Sequence, residues 1–558
     1  MLFTNQVKKI KNISLSNETK WLWLALILAS SLKVILLILD IVPFNSDESI
    51  VALMARHILQ GERPLFFYGQ AYMGSLDAWL VAFGFLVFGQ HVWVLRFVQG
   101  ILFLGVLVST VKLAEIALDS RRTGILASLL LALPAVNMTL YTTVTLGGYN
   151  EALLLGNIIL ILGLLIVREI KQKKRVVIKL WLALGFFVGI GFWTFGLTLV
   201  YSIPVGIYLF WVLWQNKTYV RRQALRGAGS TLVGIVAGSW PWWLFAAQGG
   251  IQQLLGELTG SAIADIHTVS PWVQPFQRFM SLVLFGGTAI FGMRPPWAVR
   301  WLGLPLLPFV LAFWLGVIYL LPRNIRENRP AGKVVLLGVM LTLIIGFLFT
   351  PFGDDPSGRY FVPLLIPLTL FASDLILKLG KRDPRWVYGL TFLLISFHLM
   401  GTFQSALRYP PGITTQFDAV TQIDHRYDEE LIAFLLEHGE MYGYTNYWVA
   451  YPLAFKSEEK LIFTPRLPYH LDFRYTIRDD RYAPYDTMVA EAARAAYITT
   501  HHDPLNAYLR EKFSAMNITW EETKIGDFVV FYELSNKIIP EQLDLGSTTD
   551  AWNDLREN

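Results

Sequence analysis

The feature that most constrains this chain is a succession of apolar runs, each about as long as a bilayer is thick. The runs cover residues 21–42, 98–118, 124–143, 149–167, 177–195, 198–214, 229–247, 303–321, 333–350, 359–378 and 386–404. A helix needs about 20 apolar residues to cross the hydrocarbon core, so each run is read as one crossing. A composition of 54% hydrophobic and 16% charged residues fits that class. The expected fold is an α-helical polytopic membrane protein with about eleven transmembrane helices.

Charge decides the orientation. The clusters Arg121-Arg122, Lys171 to Arg175, Arg221-Arg222 with Arg226, Arg323 to Arg329 and Lys381 to Arg385 each follow an even-numbered run. All of them then share a side with the N-terminus, where Lys8, Lys9, Lys11 and Lys20 precede the first run. The positive-inside rule makes that side cytoplasmic. The first run lacks the short core and cleavage site of a secretory signal and reads as an uncleaved anchor. Two further stretches, 76–90 and 276–294, would break the parity if they crossed. They are read as helices lying in the outer interface, with a close pair of extra spans as the alternative.

An odd number of crossings leaves the chain beyond 404 outside. Residues 405–558 carry 14 Lys+Arg against 25 Asp+Glu, a net of −11, which leaves the first 404 residues at +16. Short β-prone runs at 460–464, 496–499 and 527–532 alternate there with helical stretches near 427–438, 486–495 and 504–514. Such alternation suggests an α/β domain. The expected organisation is a cytoplasmic N-terminus (1–20), a transmembrane domain (21–404) with a long first outer loop (43–97), and an extracytoplasmic α/β soluble domain (405–558). The chain has no cysteine, which excludes disulfides, thiolate zinc sites and thiol nucleophiles. A basic membrane part joined to an acidic soluble part does not fit a nucleic-acid binder.

The residues able to carry chemistry gather in the first outer loop. Asp47 and Glu48 follow the first run directly, where a carboxylate pair is costly unless it faces water, a cation or a substrate. A helix cap at Ser46 or Asp47 explains them equally well, and a cap would hold a carboxylate rigidly. An amphipathic stretch from Ile50 to Leu59 with Arg56 and His57 follows, then Gly61-Glu-Arg-Pro64, then Phe66-Phe-Tyr-Gly-Gln-Ala-Tyr-Met-Gly74. Together they would enclose a pocket over the membrane surface. Inside the first run, Lys33 shares a helical face with Asp40, and pairing with another span is the plainer account of it. Asp265 and His267 form only a weak metal pattern. Asp354-Asp355 reads as turn chemistry and His501-His502-Asp503 as a surface loop.

The Asp-Glu pair after the first span, the Phe67-Tyr-Gly-Gln70 segment, Phe88-Gly-Gln leading to Arg96, and Gly358-Arg-Tyr-Phe-Val-Pro-Leu-Leu-Ile-Pro367 resemble the GT-C membrane glycosyltransferases. Within these, the pattern is similar to the dolichyl-phosphate-mannose protein mannosyltransferases and the bacterial aminoarabinose transferases of lipid A, most sharply over residues 40–170. The resemblance implies transfer of a sugar from a polyprenyl-phosphate donor to a protein, lipid or surface-glycan acceptor on the outer face, with inversion. It makes Asp47 the general base and Glu48 the residue that orients the acceptor or Asp47. A lipid-phosphate leaving group calls for arginine. Arg359 with Tyr360 leads, Arg96 comes next, and Arg56 and Arg63 are weaker; an interfacial arginine reaching head groups is the alternative for each. Glu151 stands where the family usually carries Asp, which implies either acceptor positioning or a structural hydrogen bond. Tyr68 and Gln70 occupy the segment where the bacterial branch often carries a Lys. No cofactor is certain, and a divalent metal is left open.

The sequence therefore reads as an integral plasma-membrane glycosyltransferase among membrane lipids. A secondary transporter or flippase is the rival from another class, although its polar features would be expected at midplane in interrupted helices. A degenerate, non-catalytic envelope subunit is the third reading.

Overall fold

The computed structural model describes residues 17–172, 177–215, 221–259, 272–327, 331–355 and 357–546. Helix supports every one of the apolar runs. Among the described residues, seven helices are long and apolar enough to cross a membrane: Glu18–Ile38, Val92–Ala117, Tyr149–Lys171, Gly196–Gln215, Ala331–Phe349, Arg359–Gly380 and Arg385–Ala406. Ile178–Thr194, Leu307–Arg323 and Leu76–Phe88 are apolar but shorter.

Two expected spans are broken, and proline explains both. Before Pro134, Leu133 leaves the helical region (φ −123°, ψ 70°), as a residue preceding proline tends to do. Run 124–143 therefore splits into Arg121–Ala132 and Val136–Tyr141. Run 229–247 consists of the end of Arg221–Gly238, then Trp240–Phe245 with Pro241 in its first turn, then a π-helical turn over Ala246–Gly250.

The two ends of the bundle differ in chemistry. At one end Arg121 and Arg122 pair with Glu18, Arg168 with Asp119, and Lys333 and Lys378 with Asp374. At the other end the helices ending or starting at Ile38, Tyr149, Thr194, Arg359 and Ala406 meet the first loop and residues 407–546. Lys33 serves this second end. Its ammonium reaches inward from the first helix to donate to the Thr142 carbonyl and to the Thr142 and Thr143 hydroxyls (3.0 and 3.3 Å), so its partner is the broken span and not Asp40.

The loop hairpin pairs β1 (Phe66–Phe67) with β2 (Gln70–Gly74). The C-terminal residues form a five-stranded sheet from β3 (Tyr442–Tyr444), β4 (Ile462–Thr464), β5 (Ala496–Thr500), β6 (Glu521–Ile525) and β7 (Phe528–Tyr532), in the order β4-β3-β5-β7-β6. The β3 pairings with β4 and β5 are parallel, and those of β7 with β5 and β6 antiparallel. Helices Asp428–Glu437, Tyr447–Lys456, Ala483–Glu491 and Asp503–Ala515 accompany it. His502 is buried and caps Asp503–Ala515 by accepting from Leu505 N–H at 3.2 Å, so it is not part of a surface loop. Helix Tyr447–Lys456 lies on the first-loop helix Ser46–Gln60, where Phe455 meets Phe44 and Phe85 at ring distances of 5.6 and 6.1 Å.

Helices Ile178–Thr194 and Arg221–Gly238 approach to backbone contact. A Cβ on Gly185 or Gly189 would lie 2.0 or 2.3 Å from the Thr231 or Ile235 carbonyl oxygen, and one on Gly234 or Gly238 2.3 or 2.2 Å from that of Leu182 or Phe186. Small residues on both faces are what such packing in lipid requires. Gly189→Leu is therefore expected to destabilise the protein by at least about 1–3 kcal/mol, the usual cost of overpacking. Gly229→Leu, on the same helix with nothing within 4 Å of its Cβ position, should be near neutral. Unfolding midpoints in mixed detergent micelles would compare them.

Candidate active site

Asn45, in extended conformation, caps helix Ser46–Gln60 by accepting from Glu48 N–H at 3.1 Å. The cap thus lies one residue before the expected Ser46 or Asp47, and both of those side chains are released. Ser46 donates to the Tyr447 carbonyl. Asp47 takes a hydrogen bond from the Tyr447 hydroxyl at 2.6 Å. Successive helical residues point about 100° apart, so Glu48 faces the core. It is fully buried and receives Arg96 in a fork, Nη2 at 2.9 Å and Nε at 3.3 Å. Burial pushes the Glu48 pKa up, and the Arg96 guanidinium pulls against that.

Asp47 opens onto a cavity of about 700 Å³ between the bundle end and the C-terminal residues. Of the candidate catalytic and substrate-binding residues, Asp47, Arg359, Tyr360 and Gln70 line it, together with Phe67 and Asp355. Arg359 forms an ion pair with Asp355 and lies 5.0 Å over the Tyr360 ring. Asp354 is engaged by Arg278 at 2.9 and 3.1 Å, so the pair Asp354-Asp355 anchors two arginines as well as forming a turn.

Four others do not line it. Arg96 is committed to Glu48 and sealed at 5% exposure, which leaves no route to a substrate phosphate. Glu48 is likewise a core residue. Tyr68 stacks on Tyr482 at 4.7 Å on the outer side of the hairpin, with its hydroxyl on Glu62. Glu151 is buried against Asp77. Asp77 accepts from Gln99 at 2.8 Å, from the Thr145 hydroxyl and from Gly147 N–H at 3.3 Å. This layer of polar groups braces the Gly147-Gly148 strap that leads into Tyr149 and the cavity wall. The weaker candidates are also engaged: Arg56 with Glu459 and the Phe455 carbonyl, Arg63 with the Ile58 carbonyl.

The other half of the cavity comes from residues that sequence spacing did not reveal. Tyr447, Tyr469, Arg474, Arg478 and Arg481 line it from the C-terminal side. Burial, and then the Asp47 charge, push the Tyr447 pKa far above the phenol range, so its hydroxyl stays a donor. Gly69 is required here by both backbone and space: its φ is +69°, and a Cβ would sit 3.0 Å from Arg481 Cδ. Among the described residues no group of three or more His, Asp or Glu could hold a metal ion. Asp265 and His267 lie outside the described residues.

A bundle of apolar helices carries its cavity at one end, between a long first loop and the C-terminal residues, the arrangement expected of a GT-C-type membrane protein. The comparisons agree with that class. The dolichyl-phosphate-mannose-protein mannosyltransferase family profile matches residues 75–243. The chain is 28% identical over 234 residues to the undecaprenyl phosphate-alpha-4-amino-4-deoxy-L-arabinose arabinosyl transferase 2 of Pseudomonas fluorescens, across 41% of this chain and 37% of that protein. The match thus spans little more than a third of that relative's length. The crystal structure of ArnT from Cupriavidus metallidurans bound to undecaprenyl phosphate superposes with a TM-score of 0.55 at 13% identity, over 92% of this chain and 98% of that one. Its apo form gives 0.54 at 12% identity, over 87% and 92%. The chain has the GT-C fold and is similar to the aminoarabinose transferases.

The joint between the first-loop helix and the C-terminal residues is polar at its outer edge. Glu459 accepts from Tyr485 at 2.8 Å and pairs with His57 at 2.9 Å and Arg56 at 3.3 Å. Burial raises the pKa of Glu459, but the hydrogen bonds from His57 and Tyr485 and the His57 and Arg56 charges win, so it falls from 4.5 to about 2. A carboxylate depressed on folding stabilises the fold above its unfolded pKa and ceases to do so as pH falls through the folded one. Thermal stability of the wild type is expected to fall more steeply than that of Glu459→Gln between pH 4.5 and about 2. Parallel slopes would exclude the joint as an acid-sensitive element.

Proposed function

We propose that this protein is a membrane glycosyltransferase that moves a sugar from a polyprenyl-phosphate donor to a hydroxyl of a protein, lipid or surface glycan on the outer face, with inversion. The observation that carries the reading is Asp47. Of the adjacent acids it alone opens onto the cavity, and one of its oxygens is fixed by the Tyr447 hydroxyl at 2.6 Å. That leaves Oδ2 to accept the proton of an incoming hydroxyl, as a general base must. The acceptor oxygen bonds to the anomeric carbon, the bond from that carbon to the phosphate oxygen breaks, and polyprenyl phosphate leaves with the electron pair. Arginines in the cavity stabilise that anion. Glu48 is the residue that positions Asp47, through its pair with Arg96 at 2.9 Å. The printed names of the relative and of the fold neighbour, one an undecaprenyl-phosphate-sugar transferase and the other bound to undecaprenyl phosphate, support the donor class.

The same reading holds that the chain crosses the membrane about eleven times, with the basic end cytoplasmic and residues 405–558 outside as an α/β domain. It is supported by the opposition between the basic bundle end and the cavity end.

Purified wild type and Asp47→Asn would be given polyprenyl-phosphate sugars, and sugar release would be followed by mass spectrometry. Turnover is expected to fall by about 10²–10⁴, the usual worth of a general base, with donor binding kept. Equal turnover would remove Asp47 from the mechanism. Topology has its own test, because the natural chain has no cysteine. In intact cells, a membrane-impermeant maleimide is expected to label Lys524→Cys but not Arg385→Cys, and the reverse pattern would overturn the orientation.

A further inference from the structure

Within that transferase reading, the structure bears on which residue receives the phosphate. Bundle arginines are poor candidates. Arg96 is sealed against Glu48 at 2.9 Å, and Arg359 is neutralised by Asp355. Arg481 differs. Its Nε is buried without a partner, and among the described residues it joins no salt bridge. With the Gln70 amide oriented to satisfy both of its neighbours, the guanidinium Nη2 donates to the Gln70 oxygen at 2.8 Å and Nη1 to the same oxygen, a neutral partner, while the charges of Asp479 and Asp47 act on it without either forming an ion pair with it.

The backbone of Arg481 and its guanidinium are both held in place. The Tyr451 hydroxyl accepts from Arg481 N–H at 2.6 Å and donates to the Asp479 carbonyl at 3.1 Å. The guanidinium lies 5.5 Å over the ring of Tyr447, whose hydroxyl holds Asp47. Gly69 clears the space for its stem. Tyr447 and Tyr451 are four residues apart, on one face of the helix Tyr447–Lys456. One helix thus fixes both the base and the cation on the wall of the same cavity.

We infer that Arg481 is the ligand for a phosphate group of the substrate, presented beside Asp47 by the C-terminal residues. A planar guanidinium offers two parallel donors to phosphate oxygens, which a lysine ammonium does not. The phosphate could belong to the donor lipid or to a phosphorylated acceptor, and the chemistry of recognition is shared.

Native mass spectrometry of the full chain would titrate undecaprenyl phosphate, undecaprenol and a phosphorylated octyl glucoside against wild type, Arg481→Gln, Arg481→Lys and the exposed control Arg385→Gln. Arg481→Gln is expected to weaken a phosphate probe about ten-fold or more, with undecaprenol unchanged, and Arg481→Lys to weaken it less, about three-fold. Loss on undecaprenyl phosphate assigns the donor phosphate; loss confined to the phosphorylated glucoside assigns the acceptor. If Arg481→Gln melts below wild type, Arg481→Lys decides, because it keeps the charge and loses only the fork. Wild-type affinity of both variants for both phosphate probes overturns the assignment, as does a wild type that binds neither. A wild type that binds phosphate lipid but transfers no sugar refutes the transferase reading and leaves the Arg481 assignment to the binding ratios.

Discussion

The buried pair of Glu48 and Arg96 is the interaction on which the site depends. It joins the first-loop helix to the helix Val92–Ala117 with two hydrogen bonds and no access to water. Such a pair adds little net stability, yet removing either partner strands a charge at a cost of about 3–5 kcal/mol. What it supplies is orientation. With Glu48 locked inward, helical geometry turns Asp47 the other way, onto the cavity. The acids are neighbours in sequence and separate in role because a helix rotates by about 100° between them.

The second constraint comes from the far end of the chain. Helix Tyr447–Lys456 lies on the first-loop helix and brings Tyr447 to Asp47, Tyr451 to the backbone at Arg481, and Phe455 to Phe44 and Phe85. The cavity is therefore a joint between two parts of the chain, and neither part completes it. Lys33 and the layer of Asp77, Gln99 and Asn150 do comparable work below, satisfying the polar backbone where the broken span and the Gly147-Gly148 strap form the cavity wall. In a low-dielectric bundle such groups persist only when paired.

Legibility in the sequence followed the physics of each element. Apolar runs announced helices because lipid imposes length and composition directly, whereas the prolines that break two of them act on the backbone without changing the apolar character of the run. Strands β4, β5 and β7 showed as β-prone runs. β3 was missed because it is three residues with Gly443 at its centre, where a Cβ would meet the Ala496 carbonyl at 2.2 Å. β6 was missed because Glu521-Glu522-Thr523-Lys524 is a charged edge strand with little apolar signal. Asp77 carries no signal of its own in the sequence, where it is one acid in the first turn of an apolar helix.

By itself the sequence determined the class: many membrane helices, a loaded first loop with Asp47 at its start, a basic side and an acidic C-terminal part. These are local properties, written in composition and spacing over twenty residues or fewer. Tertiary structure decided which charges are available. It paired Arg96 with Glu48 and Arg359 with Asp355, moved Tyr68 and Glu151 out of the cavity, and brought Tyr447 and Arg481 in across some four hundred residues of chain. Whether an ionic group is spent or free depends on partners distant in sequence, and only the fold brings those together.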